Sequence, residues 1–209
     1  GFIRSSGLGA DCVPPLSIIL DDEGIYFDPS KPSTLERLLN TATFTPQLLA
    51  RADALHRAIL HHGISKYGAA ITTLPRPADN RRHVLVTGQV EDDRSILSGG
   101  GAVRSNLDLL KRARMAEADA YIIYKPHPDV EAGHRIGHIA EDQALIYADA
   151  IIRDQPIGAL LDMVDAVHVI TSLAGFEGLL RGKQVTTHGL PFYAGWGLTT
   201  DLAEIPHRR

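Results

Sequence analysis

The 209-residue sequence has a single cysteine, Cys12, so an internal disulfide is excluded. The 10 histidines have no second cysteine to form a zinc-ribbon spacing with, and a reducing cytoplasm is the expected compartment. No apolar run comes near the roughly 18 to 20 residues of a membrane span. Polybasic runs are missing as well. The 21 Lys and Arg are scattered against 25 Asp and Glu, for a net charge of −4. That balance argues against nucleic acid held by a general basic field and leaves only local basic pockets. With 44% apolar and 22% charged residues, disordered, collagenous and coiled-coil classes are excluded. The start, Gly1-Phe2-Ile3-Arg4, has neither an initiator Met nor a signal peptide, and the end at Arg209 has no terminating pattern. A piece of a longer protein is expected, long enough for one α/β domain or for one lobe with part of another.

Two β-rich runs, 16–20 and 25–27, flank Asp21-Asp22-Glu23-Gly24 and predict a hairpin. Ser33-Thr34-Leu35-Glu36 has capping-box spacing, and Thr45-Pro46 opens a second amphipathic helix running to Gly63. The proline-rich stretch 72–80 predicts a linker, which divides the chain into a partial N-terminal lobe, 1–75, and a second lobe, 76–209. Beyond it, strands are expected at 83–87, 121–125, 150–153, 166–170 and 183–188. Helices are expected near 106–118, 142–147, 157–163 and 174–181. Alternation of helices with strands apolar on both faces predicts a Rossmann-like α/β lobe with a parallel sheet.

Such sheets bind ligands beyond the carboxyl ends of their strands, so the residues after each strand are the candidates. Gln89 to Ser95 follow the first strand and include Glu91, Asp92 and Asp93. These carboxylates form either a solvated turn or a cleft base or nucleophile. Lys125-Pro126-His127-Pro128 ends the second strand. Its prolines fix the backbone on both sides of His127, so the ring is aimed, either at a phosphate or leaving group beside Lys125 or at the backbone. Thr171-Ser172 and Gly175 lead into a helix, as a phosphate cradle or as a plain N-cap. Glu177, one turn on, suits ribose hydroxyls or the helix dipole. Gly99-Gly100-Gly101 is neither a dinucleotide fingerprint nor a P-loop and reads as a flexible loop. His134, His138 and Asp129 fit no zinc signature.

Five strings, GFIRSSGLG at 1–9, GQVEDDRSI at 88–96, YKPHPDV at 124–130, TSLAGFEGLLRGK at 171–183 and GLPFYAGWGLT at 189–199, resemble the capsule polysaccharide biosynthesis/export family typified by KpsC and LipB. The resemblance spans essentially the whole chain. It implies a GT-B-like, retaining β-Kdo glycosyltransferase that uses CMP-Kdo without a bound metal or other cofactor. It also implies a lipid-linked acceptor of phosphatidylglycerol type, the capsule export machinery as a further partner, and a cytoplasmic site at the inner membrane. Members carry such modules in tandem, and this chain matches most of one. Carried over to this sequence, the resemblance makes His127, Thr171 and Ser172 contacts of the CMP phosphate, with Lys125 beside them, and Glu177 the ribose contact. Gln89 and Asp93 match the family's Gln-x-x-x-Asp string, with Asp92 as the neighbouring alternative for the catalytic acid. Arg4 could meet the sugar carboxylate or pair at the surface. Two rival readings remain: a non-catalytic nucleotide-binding lobe of an export assembly, and a metal-dependent phosphoesterase using His127, His134 and Asp93.

Overall fold

The computed structural model describes residues 17–66, 68–69, 71–205 and 208. Arg4, Cys12 and the string at 1–9 lie outside them. The first described segment is not the expected hairpin, since residues 17–27 contain no strand. Asp21 takes their backbone elsewhere. Its carboxylate accepts from the amides of Glu23, Gly24 and Thr34 and from the Thr34 hydroxyl, folding the segment onto the start of the first helix. That helix, α1 (Thr34–Thr41), opens with the full capping box: Ser33 accepts from the Glu36 amide and Glu36 from the Ser33 amide. Helix α2 (Pro46–His61) has Thr45 as its cap. None of its residues is fully buried; it packs against the first strand that follows it, and His56 Nε2 lies 2.5 Å from the Leu180 carbonyl. A short antiparallel pair follows, β1 (Ile64–Ser65) and β2 (Gly68–Ala69).

The remaining elements keep the expected alternation. They are β3 (His83–Thr87), α3 (Arg94–Gly99), α4 (Asn106–Ala116), β4 (Tyr121–Lys125), α5 (Pro128–Glu131), α6 (Glu141–Ala144), β5 (Ala150–Ile151), α7 (Ile157–Met163), β6 (Ala166–Val169), α8 (Leu173–Leu180), β7 (Gln184–Thr187) and β8 (Thr200–Asp201). The sequence did not predict α3, α5 or β8, and the helix expected at 142–147 spans Glu141–Ala144. Six of the strands form one parallel sheet in the order β5-β4-β3-β6-β7-β8. This is the doubly wound, Rossmann-like order. Side chains of β3 alternate between two cores. Val84 and Val86 pack with Leu109, Leu110 and Ala113 of α4, while Leu85 packs with Leu160 and Leu161 of α7. Each of these fully buried Val and Leu side chains contributes about 1.5–3 kcal/mol. Helix α8 ends at Leu180, within a residue of the expected 181, and is followed by Gly182, whose φ of 66° is open to glycine at little cost. The Lys183 amide reaches back to the Gly178 carbonyl.

Strand order decides where a ligand crevice belongs. The chain builds outward from β3 through β4 to β5, then returns to β3's other side and builds β6, β7 and β8. The switch point therefore lies between the carboxyl ends of β3 and β6. Gly99-Gly100-Gly101 is not a free loop: Gly99 and Gly100 are buried, and Gly99 closes α3. The Leu190 amide donates to the Gly99 carbonyl.

Candidate functional site

Gln89 leaves β3 at the switch point and is held at both its backbone and its side chain. Asn106, fully buried at the start of α4, accepts from the Gln89 amide through Oδ1 at 2.8 Å and donates through Nδ2 to the Gln89 and Gly137 carbonyls at 2.8 Å. With the peptide clamped, the Gln89 side chain crosses to Thr171 at the end of β6. Nε2 donates to Thr171 Oγ1 at 3.0 Å, and Oε1 accepts from the Thr171 amide at 2.9 Å.

The bonding continues from Thr171. Its hydroxyl lies 3.2 Å from Ser95 Oγ, and Ser95 Oγ donates to Asp93 Oδ1 at 2.7 Å. Each hydroxyl has one proton, so the order Gln89 to Thr171 to Ser95 to Asp93 satisfies every donor once. Asp93 also caps α3, accepting from the Ser95 amide at 2.8 Å, and stays solvent-exposed. Asp92 turns away and pairs with Arg135 at 2.7 Å. The structure thus separates the two neighbours. Asp93 is wired to the switch point and Asp92 is bound on the surface.

His127 caps α5, its Nδ1 accepting from the Asp129 amide at 3.2 Å, which leaves the ring proton on Nε2. Burial is the main cause of its lowered pKa and keeps the ring neutral. The charges of Asp129 and Asp93 oppose that shift and those of Lys66 and Arg135 add to it; His127 itself follows the carboxyl end of β4, the parallel neighbour of β3. Ser172 caps α8 by accepting from the Ala174 amide at 3.2 Å. Glu177 is 2% exposed. Its Oε1 accepts from the Lys66 amide at 3.3 Å, its Oε2 has no hydrogen-bond partner among the described residues, and burial pushes its carboxyl pKa up. Lys125 stands apart from this group, its Nζ donating at 2.7 Å to the Arg153 carbonyl in a buried setting that lowers its pKa.

Gln89, Thr171, Ser95 and Asp93 therefore form one hydrogen-bonded chain, with Ser172 next to Thr171 along the backbone and His127 after the adjacent strand β4. Sequence reasoning missed Ser95, Asn106, Lys66 and Tyr193. Ser95 and Asn106 carried a faint signal, as a residue two past an aspartate cap and as the first residue of a capped helix. Among the described residues no three His, Cys, Asp or Glu side chains converge as metal ligands. A cavity of about 470 Å³ lined in part by Arg82, Glu117, His168 and Thr186 shares no residue with this rim.

The model of the family described as "Capsule polysaccharide biosynthesis protein" matches residues 1–70 and 52–209. The chain belongs to that family. Among its relatives is the capsule polysaccharide modification protein LipA of Neisseria meningitidis serogroup A, 50% identical over 208 residues, covering 100% of this chain and 30% of LipA. The lipopolysaccharide-processing protein LpsZ of Rhizobium meliloti is 46% identical over 212 residues, covering 100% of this chain and 48% of LpsZ. The chain thus spans less than half the length of either. Two solved structures of Thermosulfurimonas dismutans KpsC share its α/β fold. The β-Kdo 2,4 transferase superposes with a TM-score of 0.84 at 36% identity, over 100% of this chain and 65% of that one. The β-Kdo 2,7 transferase gives 0.76 at 38% identity, over 90% and 57%.

Proposed function

We propose that this family member forms the donor-binding part of a retaining β-Kdo glycosyltransferase, moving Kdo from CMP-Kdo to a lipid-linked, phosphatidylglycerol-type acceptor during capsular linker synthesis. The likeness to two β-Kdo transferases supports the reaction class. The observation that carries the reading is the hydrogen-bond chain from Gln89 through Thr171 and Ser95 to Asp93, because it aligns a carboxylate with two hydroxyls and a helix start at the switch point.

In this reading the bond between the anomeric carbon of Kdo and the CMP phosphate oxygen breaks, and its electron pair stays on the phosphate. The Nε2–H of His127, the hydroxyl of Ser172 and the first amide of α8, that of Leu173, hold the growing negative charge, while Thr171, whose proton goes to Ser95, holds the turn in place. Asp93 faces the positive charge developing on the carbon and bonds to it. The acceptor hydroxyl then displaces the carboxylate as it gives up its proton, and two inversions leave the configuration retained. Lys125 stays on the Arg153 carbonyl, apart from this group, and does not contact the phosphate. Glu177, buried with Oε2 3.9 Å from Arg181 Nη1, serves as the ribose contact only where donor binding opens that pair. No metal or other cofactor takes part. Residues 76–209 are the CMP-sugar lobe and 1–75 part of the acceptor-side lobe. The protein works on the cytoplasmic side of the inner membrane, beside its acceptor and the capsule export machinery.

A second reading, a non-catalytic nucleotide-binding lobe of an export assembly, is favoured by one observation: Asp93 is already engaged as the cap of α3. One experiment separates the two. The intact protein carrying this chain is given CMP-Kdo and a lipid acceptor in EDTA, with CMP binding followed by calorimetry and product linkage by NMR. Transfer with a β linkage supports the transferase. Binding without transfer selects the second reading, and loss of CMP binding on chelation overturns the metal-free account.

A further inference from the structure

The string at 189–199 has no part in the chemistry above, yet its middle lies beneath the phosphate-contacting turn. Tyr193 is buried at 4% exposure, and its hydroxyl donates to the Ser172 carbonyl, which also accepts from the Gly175 amide at 3.1 Å. The approach is close enough that a Cβ at Gly175 would run into the Tyr193 hydroxyl and ring, so glycine is required there by space. Burial raises the phenol's pKa, so it keeps its proton and remains a donor at neutral pH.

The ring itself has little freedom. Phe192 meets it edge-on at 5.2 Å and Phe176 of α8 packs at 6.2 Å. The loop that carries it is fastened at four points. Trp196 Nε1 donates to the Phe192 carbonyl at 2.9 Å, the Gly195 amide donates to Asp201, and Arg208 donates to the carbonyls of Pro191 and Ala194. A hydroxyl on so fixed a ring acts as a reference point for whatever accepts from it.

We propose that Tyr193 is the positioning residue of the Thr171-Ser172 turn: its hydroxyl fixes the Ser172 carbonyl under Gly175 and so aims the Ser172 hydroxyl and the first amide of α8 at the donor's phosphate. The part concerning phosphate rests on the proposed function. The part concerning the turn does not. Tyr193 touches no substrate, and its effect reaches the donor only through Ser172.

Tyr193→Phe keeps the ring and its aromatic neighbours and removes only the hydroxyl. Amide hydrogen exchange of the intact protein, read on peptides covering 171–180 and 121–125, tests both parts. Expected in the variant is exchange at least about tenfold faster in 171–180 with 121–125 unchanged. The midpoint of CMP-dependent protection of 171–180 should rise about tenfold, while any protection by cytidine, which lacks the phosphate, stays within twofold. Tyr193→Met, which also lacks the hydroxyl and adapts to the space without pressing on Gly175, should give the same pattern and serves if Tyr193→Phe does not fold. Unchanged exchange in 171–180 overturns the proposal, as does equal acceleration in both peptides or equal weakening of CMP and cytidine. If CMP fails to protect the wild type, the proposed function falls, and the exchange of 171–180 still decides the role of Tyr193.

Discussion

Gln89 and Thr171, 82 positions apart, hydrogen-bond each other twice, side chain to hydroxyl at 3.0 Å and backbone amide to side chain at 2.9 Å. The pair closes the gap between β3 and β6 where the sheet reverses its direction of growth. It links the strand exit that bears Asp93 to the one that bears Ser172, so the halves of the candidate site share one frame.

Gln89→Leu should test that frame. It fills similar space but leaves the Thr171 amide without its partner, at a cost of about 1–3 kcal/mol. Urea unfolding should show a midpoint shift of that size with an unchanged slope, and CMP binding should weaken together with stability. A variant as stable as the wild type would show that the bridge does not hold the two strand ends.

Acid stability should report the buried histidine pair. His168 Nδ1 and His188 Nε2 lie 3.0 Å apart, with Glu117 Oε1 3.7 Å from the other nitrogen of His168. Burial lowers both pKa values to about 4, assisted by Arg82 at His168 and by His168 and Arg112 at His188, against Asp108. Both rings are neutral in the folded protein, whereas the unfolded chain binds their protons below about pH 6.5. Stability should be insensitive to these rings above pH 6.5 and fall as pH drops from there toward 4, by roughly 2–4 kcal/mol between pH 7 and pH 5. His188→Asn should remove about half of that slope in urea titrations at the two pH values. Equal stability of the wild type at pH 7 and pH 5 would contradict the assignment.

The N-terminal segment and the end of the chain are joined by one buried ion pair. Arg208 Nε lies 2.6 Å from Glu36 Oε1, with side chains 1% and 8% exposed. Arg208→Met strands the Glu36 carboxylate and should cost about 3–5 kcal/mol. The double variant Glu36→Gln with Arg208→Met should recover at least about 1 kcal/mol of the summed single losses, as measured by a double-mutant cycle in chemical denaturation. Strict additivity would show that the two side chains do not act together.

What could be read from the sequence was what local pattern determines. The continuous apolar runs of β3 and β4 gave their bounds to the residue, and the Ser33–Glu36 capping box formed as expected. Long-range partners defeated the rest. The expected hairpin was lost because Asp21 finds Thr34, 13 positions on. Helix α3 was hidden because glycines 99–101 carry no helical signal, although packing against Leu190 buries Gly99. Strand β8 has two residues, too few for any periodicity. At the site, the residue types at the strand exits were legible, but the bridge from Gln89 to Thr171 and the tie from Tyr193 to Ser172 were not, since nothing local encodes them.

The central claim is that Asp93, and not Asp92, is the carboxylate that meets the anomeric carbon. Asparagine caps helices as well as aspartate does, so Asp93→Asn keeps the start of α3 and removes only the charge. The deciding measurement is steady-state transfer from CMP-Kdo by the intact protein, comparing Asp93→Asn with Asp92→Asn. Asp93→Asn should lower kcat by about a thousandfold or more with CMP affinity within a few-fold of wild type, because the interaction is felt in the transition state. Asp92→Asn, which only releases Arg135, should stay within about threefold of wild type. Full activity in Asp93→Asn, or its loss in Asp92→Asn alone, would contradict the account.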